Sequence, residues 1–80
     1  MSAHTKYDRL RTALDECNST YAVYTSATVE AAYMLQALLD RPDDPFVRTN
    51  AMVVSAKVIR KRAWWLAASA AREAIAKEAA

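Results

Sequence analysis

The segment Lys57-Val58-Ile59-Arg60-Lys61-Arg62-Ala63-Trp64-Trp65 is the densest grouping of chemically capable side chains in this sequence. On a helix, Lys57, Arg60, Lys61 and Trp64 project from one arc of roughly 100°, at about 100° per residue. A cationic patch beside an indole can hold phosphates by charge and a base by stacking. The same set suits an acidic protein surface, because Arg and Trp are residue types that dominate binding energy at protein interfaces. A third reading is a solvated face whose lysine and arginine stems shield one tryptophan. Arg62 stands apart, since it falls between two apolar stripes and is heptad-equivalent to Arg48, Ser55 and Ser69. There it would either hydrogen-bond a tyrosine hydroxyl such as that of Tyr24 or set specificity at a partner surface.

The remaining polar groups point to structure more than to reaction. Tyr7, Tyr21, Tyr24 and Tyr33 suit core-edge positions that bury the ring and wet the hydroxyl. Cys17 is expected to behave as a small buried apolar residue, and Glu30 to pair with Lys57. Asp43 and Asp44 suit helix capping better than metal binding. His4 is the single histidine, no glycine is available for a phosphate loop, and no spaced carboxylate pair lies on the apolar ladder. With Cys17 the single cysteine, a closed four-coordinate zinc site and an internal disulfide are both excluded. The expectation is a non-enzyme with no catalytic residues, no cofactor and no metal.

The elements that must carry these residues are two long helices. Tyr7, Leu10, Leu14, Cys17, Tyr21, Tyr24, Thr28, Ala31, Leu35 and Leu38 follow at alternating steps of three and four. That places them on one stripe of a helix running from about residue 6 to about residue 40, with Thr5 as its N-cap and Asp8 in its first turn. From Cys17 to Leu39 the only charged residue is Glu30, so this stretch reads as buried on nearly every side. Arg41-Pro42 ends the helix, because proline drives the preceding residue out of the α region. Asp44-Pro45 then reads as N-cap and first helical residue of a second helix, about 45–77, with a hinge at 41–44. Helices of roughly 35 and 33 residues, each about 50 Å long at ~1.5 Å per residue, fold back as an antiparallel hairpin. With the fold near Asp43, facing residue numbers should sum to about 86, setting Tyr21 opposite Trp65 and Thr28 opposite Val58.

The second helix carries two stripes. Val47, Ala51, Val54, Val58, Trp65, Ala68 and Ile75, interrupted by Lys61 and Arg72, would face the first helix. Met52, Ala56, Ile59, Ala63, Leu66 and Ala70 need a surface that one hairpin does not contain. A dimeric four-helix bundle supplies it, with Met52, Ile59, Ala63 and Leu66 at the oligomer interface. Eighty residues also form only a small core, which a partner subunit would supplement.

The absence of glycine and the presence of only two prolines fit an all-α chain of one domain, residues 1–80. Residues 1–40 carry a net charge of −2 and residues 41–80 a net charge of +4, as suits two helices lying side by side. The start Met-Ser-Ala-His-Thr-Lys has no apolar core after a basic region, so it does not read as a secretory signal. Residues 17–39 are long enough to span a bilayer but too polar, and four basic residues sit in the middle of the second helix. A cytoplasmic location with no membrane partner is the expectation.

Function is expected to follow from binding. Helical-hairpin dimers of this length occur among small bacterial and phage regulators, including inhibitors that sequester a larger protein, an analogy of size and shape. The leading expectation is a homodimeric protein-interaction module that regulates a larger protein through Lys57, Arg60, Lys61, Arg62 and Trp64. The alternative is a nucleic-acid-binding bundle using the basic Lys57–Arg62 face.

Overall fold

The computed structural model describes the backbone of residues 3–79 and the side chains of residues 5–78. Met1 and Ser2 and the His4 side chain, which entered the reading of the N-terminus, lie outside the described residues. Helix α1 (Ala3–Asp40, 38 residues) and helix α2 (Pro45–Ala79, 35 residues) pack along their whole length into a rod of 61 × 14 × 13 Å. No helix is long and apolar enough to cross a membrane among the described residues.

The hinge forms as its residue types require. Arg41 N–H still donates to Ala37 O at 2.9 Å, and Pro42 then stops the helix. Asp44 N–H closes the turn on Arg41 O at 3.3 Å. The Asp44 carboxylate accepts from the amides of Phe46 (2.9 Å) and Val47 (3.4 Å), and Arg48 N–H donates to Asp44 O at 3.0 Å. Asp44 is thus the N-cap of α2 and Pro45 its first residue, where a missing N–H costs nothing. The start of α1 differs from expectation. The chain is already helical at Ala3, so Thr5 lies inside the helix and does not cap it. Nothing in Ala3-His4-Thr5-Lys6 breaks a helix, and alanine is the strongest helix former. The apolar pattern therefore starts later than the helix that carries it.

Cross-helix pairs fix one register throughout. Glu30 pairs with Lys57 at 3.0 Å, Tyr21 meets Trp65 with ring centroids 5.2 Å apart, and the Cys17 thiol lies 3.4 Å from the Ser69 hydroxyl. Arg9 reaches Glu78 at 3.3 Å near the open end. These numbers sum to 86 or 87, as a fold-back at Asp43 demands.

The α2 side of the seam is the expected one, centred on buried Val47 and Val54, with Ala51, Val58, Trp65, Ala68 and Ile75 half-buried. Lys61 and Arg72 occupy the two interruptions and are half-buried as well, with stems covering the seam and charged ends able to reach water.

The α1 side is rotated from expectation. Its seam runs through Leu10, Ala13, Cys17, Thr20, Tyr24, Ala27, Ala31, Met34 and Leu38, again at alternating steps of three and four. It keeps every second member of the expected ladder but replaces Leu14, Tyr21, Thr28 and Leu35 by Ala13, Thr20, Ala27 and Met34. The buried members of the pair are small: Ala13, Cys17, Thr20 and Ala27 are 6% exposed or less, whereas Leu14, Tyr21 and Leu35 are 40%, 50% and 58% exposed. Small side chains let the backbones approach closely, and Trp65 then fills the space beside them with Tyr24 stacked 5.5 Å away. Thr20 is buried without an orphaned group, because its hydroxyl hydrogen-bonds the carbonyls of Glu16 and Cys17 at 3.0 Å each. The stretch 17–39 is not enclosed on every side either: Val29 and Tyr33 are exposed, and only its seam face is covered.

Candidate functional site

Writing the seam positions of each helix as a and d of a heptad places the rest of the surface. In an antiparallel pair, e positions of the two helices share one flank and g positions the other. On the g flank lie Arg9, Glu16, Val23 and Glu30 of α1, with Lys57, Trp64, Ala71 and Glu78 of α2. The interhelical ion pairs Arg9–Glu78 and Glu30–Lys57 belong to it. Lys61 sits on the adjoining seam edge with its ammonium 4.9 Å above the Trp64 ring, within cation–π range.

The basic-aromatic cluster is therefore assembled on one side, as its spacing implies, but partly spent within the chain. Lys57 is held by Glu30, the partner expected for it, and Lys61 covers one face of Trp64. Arg60 and half of Trp64 remain exposed at the outer edge. Arg62 lies on the opposite flank, exposed, and donates to no protein group among the described residues. Tyr24, offered to it by the sequence, is stacked on Trp65 instead. Arg62 therefore does not join Lys57, Arg60, Lys61 and Trp64 in one site.

The e flank is of another kind. From α1 it carries Tyr7, Leu14, Tyr21, Thr28 and Leu35. From α2 it carries Arg48, Ser55, Arg62 and Ser69, backed by the b positions Met52, Ile59 and Leu66 and by Ala56 and Ala63 beyond them. Met52 and Ile59 are 74% and 69% exposed, and Leu66 is 45% exposed. Near the hinge this flank dips into an open trough of about 550 Å³ lined by Leu38, Arg48, Ala51, Met52, Ser55, Ala56 and Ile59. All four residues expected at an oligomer interface, Met52, Ile59, Ala63 and Leu66, are exposed side by side on this flank.

The sequence ladder assigns Leu14, Tyr21 and Leu35 to the internal seam, yet they extend this exposed apolar surface onto α1. For Leu14 and Tyr21 the signal that could have found them is size, since small Ala13 and Thr20 immediately precede them, as Ala27 precedes Thr28; Leu35 follows Met34 and carries no such signal. A close-packed pair takes the small residue inside and leaves the next on the flank.

A second trough, of about 380 Å³, opens toward the free end between Thr5, Asp8, Arg9, Thr12, Ala13 and Glu16 of α1 and Ala68, Ala71 and Ile75 of α2. The alanines produce it by being short. No group of three or more His, Cys, Asp or Glu is placed to hold a metal ion among the described residues. The chain matches no known family model and has no significant similarity to a curated protein or to a solved structure.

Proposed function

We propose that this chain is a non-enzymatic protein-interaction module that self-associates and binds a larger protein. The observation that carries the reading is the distribution of large side chains. Leu35, Met52, Ile59 and Leu66 stand on a long, shallow surface, while the buried residues of the seam are Ala13, Cys17, Thr20, Ala27, Val47 and Val54. Contiguous apolar surface of this kind is the mark of an interaction site. Both troughs are open to solvent, and neither brings a nucleophile, a base and an orienting group together.

Two flanks give such a module two jobs. The apolar e flank suits the tighter, less discriminating contact of self-association. The g flank, with Arg60 and Trp64 at its outer edge and the Glu30–Lys57 pair behind them, suits recognition of a target. A nucleic-acid role for the same face would have to act through Arg60 with Lys57 and Lys61 already engaged. It would weaken steeply with salt.

The test replaces Lys57, Arg60 and Lys61 by glutamine and Trp64 by alanine in one variant. The amide that Lys57→Gln introduces can still donate to Glu30, and all four replacements are compatible with helix. Circular dichroism should be unchanged, and a protein captured from the native host by the wild type should be lost, with affinity falling more than tenfold. Equal capture by both chains refutes the recognition role of this face. Binding of a labelled DNA duplex that falls steeply between low and moderate salt would replace the protein-target reading by the nucleic-acid one.

A further inference from the structure

We infer that the e flank is the seat of a second copy of this chain, with both hinges at the same end and α1 of each copy laid on α2 of the other. The inference deepens the self-association proposed above and depends on it.

Area is the first argument. The hairpin exposes 6074 Å², whereas a compact folded monomer of 8.9 kDa exposes roughly 4,800 Å². The excess, about 1,300 Å² per chain, is larger than the roughly 800 Å² per partner that a stable interface covers.

Register is the second. A two-fold axis along the rod sets α1 against the partner's α2 in the antiparallel sense, with the 86–87 sum that already governs the hairpin. Leu35 then comes level with the partner's Met52, Thr28 with the partner's Ile59, and Tyr21 with the partner's Leu66. Leu35 also arrives at the hinge-side trough between Met52, Ala56 and Ile59, whose lining is apolar apart from Arg48 and Ser55. Exposed Leu35, Tyr21, Met52, Ile59 and Leu66 are thus brought under cover in the pair.

Charge decides the direction. Residues 3–40 carry a net −2 and residues 45–79 a net +5. A two-fold axis across the rod, with hinges at opposite ends, would stack α1 on α1 and the cationic α2 on its own copy. Arg62 is the middle residue of α2, so that arrangement would also set Arg62 beside the partner's Arg62 at the axis. The same-end arrangement places opposite net charges together. Arg62 then comes level with the partner's Thr25, whose hydroxyl donates to Ala22 O and keeps lone pairs for an N–H donor.

The experiment uses the full chain with Cys17→Ser, whose hydroxyl replaces the thiol as hydrogen-bond partner of Ser69, and a single label site at Asp43→Cys in the exposed hinge. Cys17→Ala replaces Cys17→Ser if helix content falls. Light scattering on gel filtration should give twice the chain mass at micromolar concentration. Electron–electron distance measurement between the two hinge labels should give one separation below about 30 Å, two or three helix spacings of ~10 Å with the label tethers. A separation approaching the 61 Å length of the rod overturns the direction while leaving self-association standing. A monomer at every concentration overturns both. Ile59→Asp should abolish the dimer mass with helix content intact, and a persistent dimer would show that another face makes the contact.

Discussion

The seam between the helices and the e flank beside it are built from the same ladder of α1 and differ chiefly in side-chain size. Inside are Ala13, Thr20 and Ala27, nearly inaccessible; one residue further along are Leu14 and Tyr21, 40% and 50% exposed, and Thr28, half-buried, while Leu35, 58% exposed, follows half-buried Met34. No large side chain in the described chain is fully buried. A lone hairpin optimised for its own stability would do the reverse, since burying a leucine stabilises by about 2 kcal/mol more than leaving it exposed. The inversion teaches that α1 divides its ladder by size between seam and flank, an arrangement that the proposed second contact layer would use. On the α1 side the seam is close, and Leu14, Tyr21 and Leu35 stand outside it on the flank.

Three substitutions would break or sharpen that contrast. The largest effect belongs to Trp65→Ala, because Trp65 is a bulky seam residue that carries the ring contacts of both Tyr21 on the flank and Tyr24 in the seam. A loss of about 3 kcal/mol is expected, read as a fall in denaturant midpoint by circular dichroism. A shift under ~1 kcal/mol would mean that the aromatic layer does not hold the seam. Next is Ala27→Leu, which forces a large side chain into the tightest point of the seam, where Ala27 is 1% exposed. Overpacking there should cost about 2 kcal/mol, and an unchanged or raised melting temperature would show that the helices can part without penalty. Smallest on the hairpin itself is Leu35→Asp. At concentrations low enough to keep the chain monomeric, it should alter hairpin stability by less than ~0.5 kcal/mol, as a surface change. The sharp comparison is with the same variant at high concentration, where the dimer should dissociate because a carboxylate has entered an apolar layer. Destabilisation of equal size at both concentrations would place Leu35 in the seam after all.

Much of the fold was legible because it depends on local chemistry. Pro42 and Asp44-Pro45 define the hinge by what their backbones permit. Once the hinge is fixed, counting outward gives the register that Tyr21–Trp65 and Glu30–Lys57 obey. The α2 stripe was readable because Val47, Ala51, Val54 and Val58 keep the alternating three-and-four step from the capped start of the helix, which their exposed neighbours Phe46 and Val53 do not. The rotation of the α1 seam was not, because hydrophobic periodicity weighs Leu14 and Tyr21 above Ala13 and Thr20. Close packing between two partners favours the smaller set. The start of α1 escaped for a related reason: apolar pattern marks where a helix packs, while Ala3 and its neighbours need only be helix-compatible. On the candidate site, spacing placed Lys57, Arg60, Lys61 and Trp64 on one side correctly. It could not separate Arg62 from them by function, nor reveal that Lys61 lies over Trp64, because rotamers are set by neighbours across the seam.

The constant register has a kinetic meaning. The cross-helix pairs of the described residues lie on one line running outward from the hinge, from Glu30 and Lys57, 27 residues apart, through Cys17 and Ser69, 52 apart, to Arg9 and Glu78 near the open end. Forming an outer pair first would close a long loop, whereas each inner pair already made shortens the next closure to a few residues. The chain can thus zip from its capped turn toward its free ends. It would open in the reverse order, and the amides near Arg9 and Glu78 would exchange with solvent before those near Val47 and Val54.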